Sequence, residues 1–203
     1  MLFMKKFSIT LLSMLVVLCV NAQKRVQFKQ FKVDLSLGYA MPQGSGSKGG
    51  ALLAVEPKYE ILDQLAVGMR IEIAAMARGY ETASGSTSSD LEVKASGSYL
   101  LTGDYYITDN YSFRPFAGAG LGSYSLAAGS TANGGSVSSE VESKFGQMIR
   151  VGFEAGHFRL GIEYNFVPDT ELTYFSGSSN IKSTSKNSYL GIKLGVVFGG
   201  GRK

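Results

Sequence analysis

Cysteine is almost missing from this chain. Its 203 residues hold one cysteine, one histidine, four prolines and no tryptophan. A single cysteine excludes an internal disulfide framework, and a single histidine leaves no Cys/His set for a zinc centre. Charged residues make up 18%, below the ~25% usual for soluble domains. The formal excess of +4 is too small for an evident nucleic-acid-binding surface, so no nucleic-acid partner is expected. After residue 22 no apolar run reaches the ~18 residues of a spanning helix. Hydrophobic content of 44% is too high for a disordered chain. What the chain has in quantity is glycine, 26 residues, with 11 tyrosines and 12 phenylalanines. That balance points to a β-rich chain with polar loops, in one domain.

Met1 to Ala22 reads as a secretory signal peptide, followed by a single domain over 23–203. Lys5 and Lys6 form its basic region, Phe7 to Val20 its apolar stretch, and Val20-Asn21-Ala22 a small-residue cleavage context. The apolar stretch is too short to span a bilayer comfortably. Cys19 follows Leu18, a poor context for lipidation, and it leaves with the signal. The mature chain is then free of cysteine, and its stability rests on its core or on a membrane.

The remainder alternates apolar and polar residues, the period of a strand. Phe31, Val33, Leu35, Leu37 and Tyr39 oppose Lys32, Asp34, Ser36 and Gly38. Leu53, Val55 and Tyr59 oppose Glu56, Lys58 and Glu60; Val67, Met69, Ile71 and Ile73 oppose Gly68, Arg70 and Glu72. Similar segments run near Val93–Tyr105, Phe145–Glu154, Phe158–Phe166 and Tyr189–Phe198. A Gly-rich segment from Ser112 to Tyr124 leaves its facing open. The total is eight. Short links at Leu62–Gln64, Thr108–Asn110 and Gly156–His157 alternate with long ones at Pro42–Gly50, Gly79–Leu91, Ala127–Ser143 and Pro168–Lys186. An even strand count with alternating link lengths predicts an all-β, eight-stranded antiparallel transmembrane barrel, with short periplasmic turns and four long extracellular loops. Pro57 and Pro115 fall inside strand segments, where a bulge or a strand end is expected to absorb the lost donor.

The polar face carries small residues beside charges of both signs. Lys32, Lys58, Arg70, Lys94, Arg114, Arg150, Arg159 and Lys193 face Asp34, Glu56, Glu72, Asp104, Glu154 and Glu163. The bore of a small barrel is just filled by such side chains, and paired charges there escape most of the burial penalty. Phe31, Tyr39, Tyr59, Tyr105, Phe113, Phe145, Phe158, Phe166 and Phe198 fit aromatic girdles at the two interfaces.

The Gly-alternating stretch Arg114-Pro115-Phe116-Ala117-Gly118-Ala119-Gly120-Leu121-Gly122 and the closing strand Tyr189 to Phe198 resemble the small outer-membrane β-barrels of the OmpX and OmpA transmembrane-domain type. More narrowly, the chain resembles the outer membrane protein beta-barrel domain and porin-family sequences common in Bacteroidota. The resemblance covers the whole mature chain by pattern. It implies location in a Gram-negative outer membrane, contact with outer-membrane lipid, insertion by the barrel-assembly machinery, and no catalytic activity. In the family the last strand ends on an aromatic residue. Here Gly199 to Lys203 follow Phe198, so the machinery would read an internal Phe198.

No cofactor or metal is expected, since the loops also lack dense carboxylates for calcium. A lipid-modifying acyl transferase would need a base beside a nucleophile. His157 is the sole candidate, and it sits at a turn on the side expected to face the periplasm. The glycine series at Arg114–Gly122 lacks the Lys-Ser/Thr ending of a phosphate loop. The primary expectation is a monomeric, non-enzymatic barrel filled with ion pairs, contributing to envelope structure. Its polar loops (Ser84–Ser89, Gly129–Ser139, Ser176–Ser188, with Tyr174 and Phe175 as anchors) would contact a host or cell-surface ligand. Two alternatives stand beside it. One is a narrow passive pore, which eight bases against six acids would bias toward anions. The other is a soluble lipocalin-like barrel with its apolar face turned inward.

Overall fold

The computed structural model describes residues 28–44, 47–82, 87–129, 140–176 and 179–201, without the side chains of 77–94, 127–141, 171–183 and 185. The signal-peptide expectation for Met1–Ala22 therefore lies outside the described residues. Ten strands follow in order: β1 (Phe31–Pro42), β2 (Gly50–Leu62), β3 (Leu65–Thr82), β4 (Thr87–Tyr106), β5 (Arg114–Gly129), β6 (Glu140–Ala155), β7 (Phe158–Phe166), β8 (Thr170–Ser176), β9 (Ser179–Ser185) and β10 (Tyr189–Gly199). Eight of them close a barrel, β1-β2-β3-β4-β5-β6-β7-β10, sealed where β10 pairs antiparallel with β1, Leu35 opposite Val196. Closure leaves the wall with no unpaired edge.

Side-chain period decides what faces where. The apolar members of each segment point outward: Leu37, Met69, Ile73, Leu101, Ile149, Ile162 and Leu194 are all exposed. So are all nine girdle aromatics. The charged members among the described side chains point inward and are buried. A soluble barrel holding an apolar ligand would show the reverse, and that alternative is overturned. The Gly-rich segment takes a definite facing as β5. Ala117, Ala119, Leu121 and Ser123 are exposed, while Phe116, Tyr124 and Leu126 are buried within. Its inward glycines make room for neighbours: a Cβ on Gly118 would run into Oδ1 of Asp104.

The long links hold more strand than their composition implies. β3 continues to Thr82 and β4 starts at Thr87, while β5 reaches Gly129 and β6 starts at Glu140. The segment Pro168–Lys186, read as a loop, contains the β8–β9 hairpin. Ser, Thr and Asn occupy both faces there, so no hydrophobic alternation marks it, although Thr, Tyr and Ile favour extended backbone. The hairpin follows β7 after Val167-Pro168-Asp169 and pairs with β3 through Glu81 opposite Thr184. Its base is tied by Asn187 Nδ2 donating to the Pro168 carbonyl at 2.7 Å and by Lys144 Nζ donating to the Asp169 carbonyl at 2.5 Å.

Pro115 sits one residue inside the start of β5, the expected strand end. Pro57 meets neither expectation, since β2 runs on to Leu62. Pro57 stays in register with Val33 on one side, and the β2–β3 ladder skips from Val55–Ile71 to Lys58–Gly68 on the other. The bulge of this hairpin lies further on, between Glu60 and Leu62.

Because the outer face meets hydrocarbon, a charge placed there is costly in proportion to its depth. Leu194→Arg, central on β10, is expected to lower unfolding free energy by about 2–4 kcal/mol in lipid vesicles. Urea titration followed by tryptophan-free far-UV dichroism measures it, and a neutral result would deny that this face meets lipid.

Candidate functional site

The interior is a stack of ion-pair clusters beneath an apolar cap. Near the short-link end, Lys32 Nζ lies 2.9 Å from both Glu60 and Glu154 and donates to the Tyr106 hydroxyl at 2.8 Å. Tyr106 donates in turn to Glu154. Arg114 pairs with Glu60 at 2.9 Å, and its guanidinium lies over the rings of Tyr106 and Phe28, 4.0 and 4.4 Å from their centroids.

Arg159 joins this cluster to the next. One guanidinium nitrogen meets Glu154 at 2.8 Å, a second meets Asp104 at 2.8 Å, and Nε meets Asp34 at 3.0 Å. Asp104 also receives Lys58 at 2.9 Å and Arg150 Nε at 2.7 Å. Arg150 holds Glu56 with both terminal nitrogens, at 2.8 and 2.6 Å, the two-pronged geometry that suits a planar fork. Thr102 donates to the same carboxylate at 2.5 Å. Higher up, Arg70 meets Glu163 at 2.6 Å and Glu72 at 3.3 Å, and Lys193 bridges the same two acids at 2.6 and 3.3 Å. Tyr189 donates to Glu72 at 2.6 Å, and Tyr124 to Asn165 at 2.7 Å.

Above these pairs the polarity changes. Ala40, Leu52, Ala74, Met76, Leu100, Leu126, Met148 and Val167 form a buried apolar cluster at the long-link end. Among the described residues, two cavities of about 10 Å³ lie in the bore. One lies between Asp34, Arg150, Arg159, Glu163 and Lys193, and the other at the short-link mouth. Each has room for about one water molecule.

Thirteen of the fourteen charges singled out from the sequence are buried in this interior. For the fourteenth, Lys94, the strand is described, paired with Met76 and Ala128, but its side chain lies outside the described residues. One acid escaped the sequence count. Glu60 is buried beside Lys32 and Arg114, and its place two residues after Lys58 puts it on the same face. The described interior thus holds Lys32, Lys58, Arg70, Arg114, Arg150, Arg159 and Lys193 against Asp34, Glu56, Glu60, Glu72, Asp104, Glu154 and Glu163. Among the described residues the bases and acids are equal in number, with Lys94 outside that count. Tyr106, Tyr124, Tyr189, Asn165 and Thr102 were also missed as partners. Their parity along the strands is the signal that could have found them. His157 stands at the β6–β7 turn, exposed, with Nδ1 donating to the Val197 carbonyl at 2.8 Å.

An outward apolar belt, two aromatic girdles and an inward charge lattice define a transmembrane β-barrel of the Gram-negative outer membrane, its short turns periplasmic and its long connections extracellular. Residues 10–198 match the family model for the outer membrane protein beta-barrel domain, and the chain belongs to that family. Among solved structures it is similar to Neisserial surface protein A, at 17% identity and a TM-score of 0.52, covering 84% of this chain and 99% of that one. It is also similar to the N-terminal barrel domain of Pseudomonas aeruginosa OprF, at 13% identity and a TM-score of 0.47, covering 85% of this chain and all of that one. No curated protein matches the sequence.

Removing one member of a buried pair leaves its partner charged and dry, at a cost of about 3–5 kcal/mol. Arg150→Met takes the two-pronged partner from Glu56 and one of three cations from Asp104, so a loss toward the lower end of that range is expected in vesicle unfolding. Adding Glu56→Gln to Arg150→Met should recover part of it, giving a coupling energy that independent sites would lack.

Proposed function

We propose that this protein is a non-enzymatic, non-conducting barrel that forms a rigid base in the outer membrane and holds its extended strand ends and the β8–β9 hairpin at the cell surface. The observation that carries this reading is the filled bore: among the described residues, matched ion pairs capped by apolar side chains, with two voids of about 10 Å³ each. An anion-selective path would need a continuous lumen and an excess of positive charge, and the described residues favour neither. The only histidine is engaged with a backbone carbonyl on the periplasmic side, which supports a structural role for it.

The same reading includes removal of Met1–Ala22 on export, insertion of the monomer by the barrel-assembly machinery, and contact between the long loops and a host or cell-surface ligand. The hairpin is suited to that last task. Its paired backbone and tied base hold Tyr174 and Phe175 on a built strand.

The test is conductance of the refolded protein in a planar lipid bilayer. The expected result is a silent, inserted protein; discrete steps that change on neutralising Arg150 would overturn the closed-bore reading. Replacing 170–185 with a short Gly/Ser link should leave heat-modifiable gel mobility unchanged and abolish binding of expressing cells to a target surface. Unchanged binding would remove the hairpin from the contact.

A further inference from the structure

The outer wall is not uniformly covered. Around β1 and β10, each outward pair across the seam has two large side chains: Leu35 with Val196, Leu37 with Leu194, Tyr39 with Ile192. Across β3 to β6 one such row reads Val67, Gly103, Ala119, Ile149, so its middle is nearly bare. The next row, Leu101, Leu121 and Gln147, forms one bank. The result is a notch of about 630 Å³ in the apolar belt. That volume falls within the roughly 300–1,000 Å³ of small-molecule sites.

Two further features bear on its occupant. A Cβ built on Gly103 meets no atom within 4 Å, so the space is open and not the imprint of neighbouring side chains. Gln147 is exposed on this lipid-facing wall, and its amide has no hydrogen-bond partner among the described residues. It is flanked by the girdle aromatics Phe145, two residues along β6, and Phe166, its partner on β7. An exposed amide at girdle level on an otherwise apolar wall is placed to meet a polar group of the lipid.

We propose that the notch is a binding site for one acyl chain of an outer-membrane lipid, with the Gln147 amide donating to the carbonyl that joins the chain to its headgroup. The notch is continuous with the lipid-facing belt, so hydrocarbon is what reaches it. A slender flexible chain fills a concavity, and the carbonyl stands near the girdle, at the level of Gln147. A second copy fits less well. A two-fold interface sets identical surfaces against each other, and two concavities leave the space unfilled.

The test places the refolded protein in phosphatidylcholine nanodiscs doped with phosphatidylcholine that carries a diazirine on one acyl chain. After irradiation, lipid adducts are mapped by peptide mass spectrometry. Leu121 in the notch and Leu194 on the opposite wall are 52% and 53% exposed, so uniform lipid contact would label them equally. The expected result is a several-fold excess of adducts at Leu121. Gly103→Leu should bring the ratio to about one, and Gln147→Leu should lower it in the same direction. Heat-modifiable mobility verifies the fold of each variant; Ala119→Leu fills the notch from the adjacent strand if Gly103→Leu fails to fold. Equal labelling in the unaltered protein, a ratio untouched by either filling variant, or protein–protein cross-links through Leu121 would each overturn the proposal. The conductance measurement above is indifferent to this result.

Discussion

Charge pairing inside a filled tube is the constraint on which the rest of this structure depends. Each ion taken from water into the bore costs several kcal/mol after relaxation, and only near-ideal pairing offsets that. The chain meets the requirement with seven cations and seven anions among the described residues, spread over all eight barrel strands. Asp104 receives Lys58, Arg150 and Arg159 from β2, β6 and β7. One carboxylate therefore ties together strands that are remote around the wall. Arg159 extends the network to Glu154 and Asp34, so the two lower clusters stand or fall as a unit.

Such pairing needs room, and glycine supplies it. Long arginine and lysine side chains meet near the axis only where other positions on the wall carry almost nothing. Gly118 faces inward between Asp104 and Arg150, where a methyl group would displace the carboxylate that Arg150 reaches. The high glycine content thus belongs to the same design as the charges. At the closing end it takes a second role. Gly199, Gly200 and Gly201 have φ of +79, +64 and +81°, conformations that L side chains rarely adopt. The chain can then leave the wall after Phe198 and fold toward the mouth, where Gly201 accepts from the Lys29 amide at 2.8 Å. Phe198 stays exposed on the outer face as the last apolar residue of the wall.

Most of the barrel was legible in the sequence because two opposed environments impose a strict period of two. Wherever hydrocarbon lies on one side and ion pairs on the other, a one-residue slip would exchange them, so pattern and register carry the same information. Legibility ended where that contrast ended. β8 and β9 stand beyond the membrane, with polar residues on both faces, and their strand character carries no hydrophobic signature. β5 was ambiguous for the opposite reason, since Gly and Ala on alternate positions differ too little to name the inner face. Within the site, charges on well-patterned strands could be placed, but their partners could not. The bond from Tyr189 to Glu72 spans 117 positions and depends on how far the barrel's strands are staggered. Glu60 shows a subtler loss: beside the β2 bulge, its membership in the interior follows from parity but not from any motif.

The two faces of the wall divide the labour unequally. The interior has almost no freedom, because each change of charge must be answered by another across the bore. The exterior has to be only apolar, so departures from a smooth apolar surface there are informative. The Gly103–Ala119 row and the bare amide of Gln147 are departures of that kind, on one wall only. Above the membrane the constraint changes again. The β3–β4 and β8–β9 extensions meet through Glu81 and Thr184 and answer to backbone pairing instead of core packing. Side chains on paired strands above the bilayer can change without disturbing the ion pairs below. That separation lets a rigid membrane base carry a surface free to vary in what it contacts.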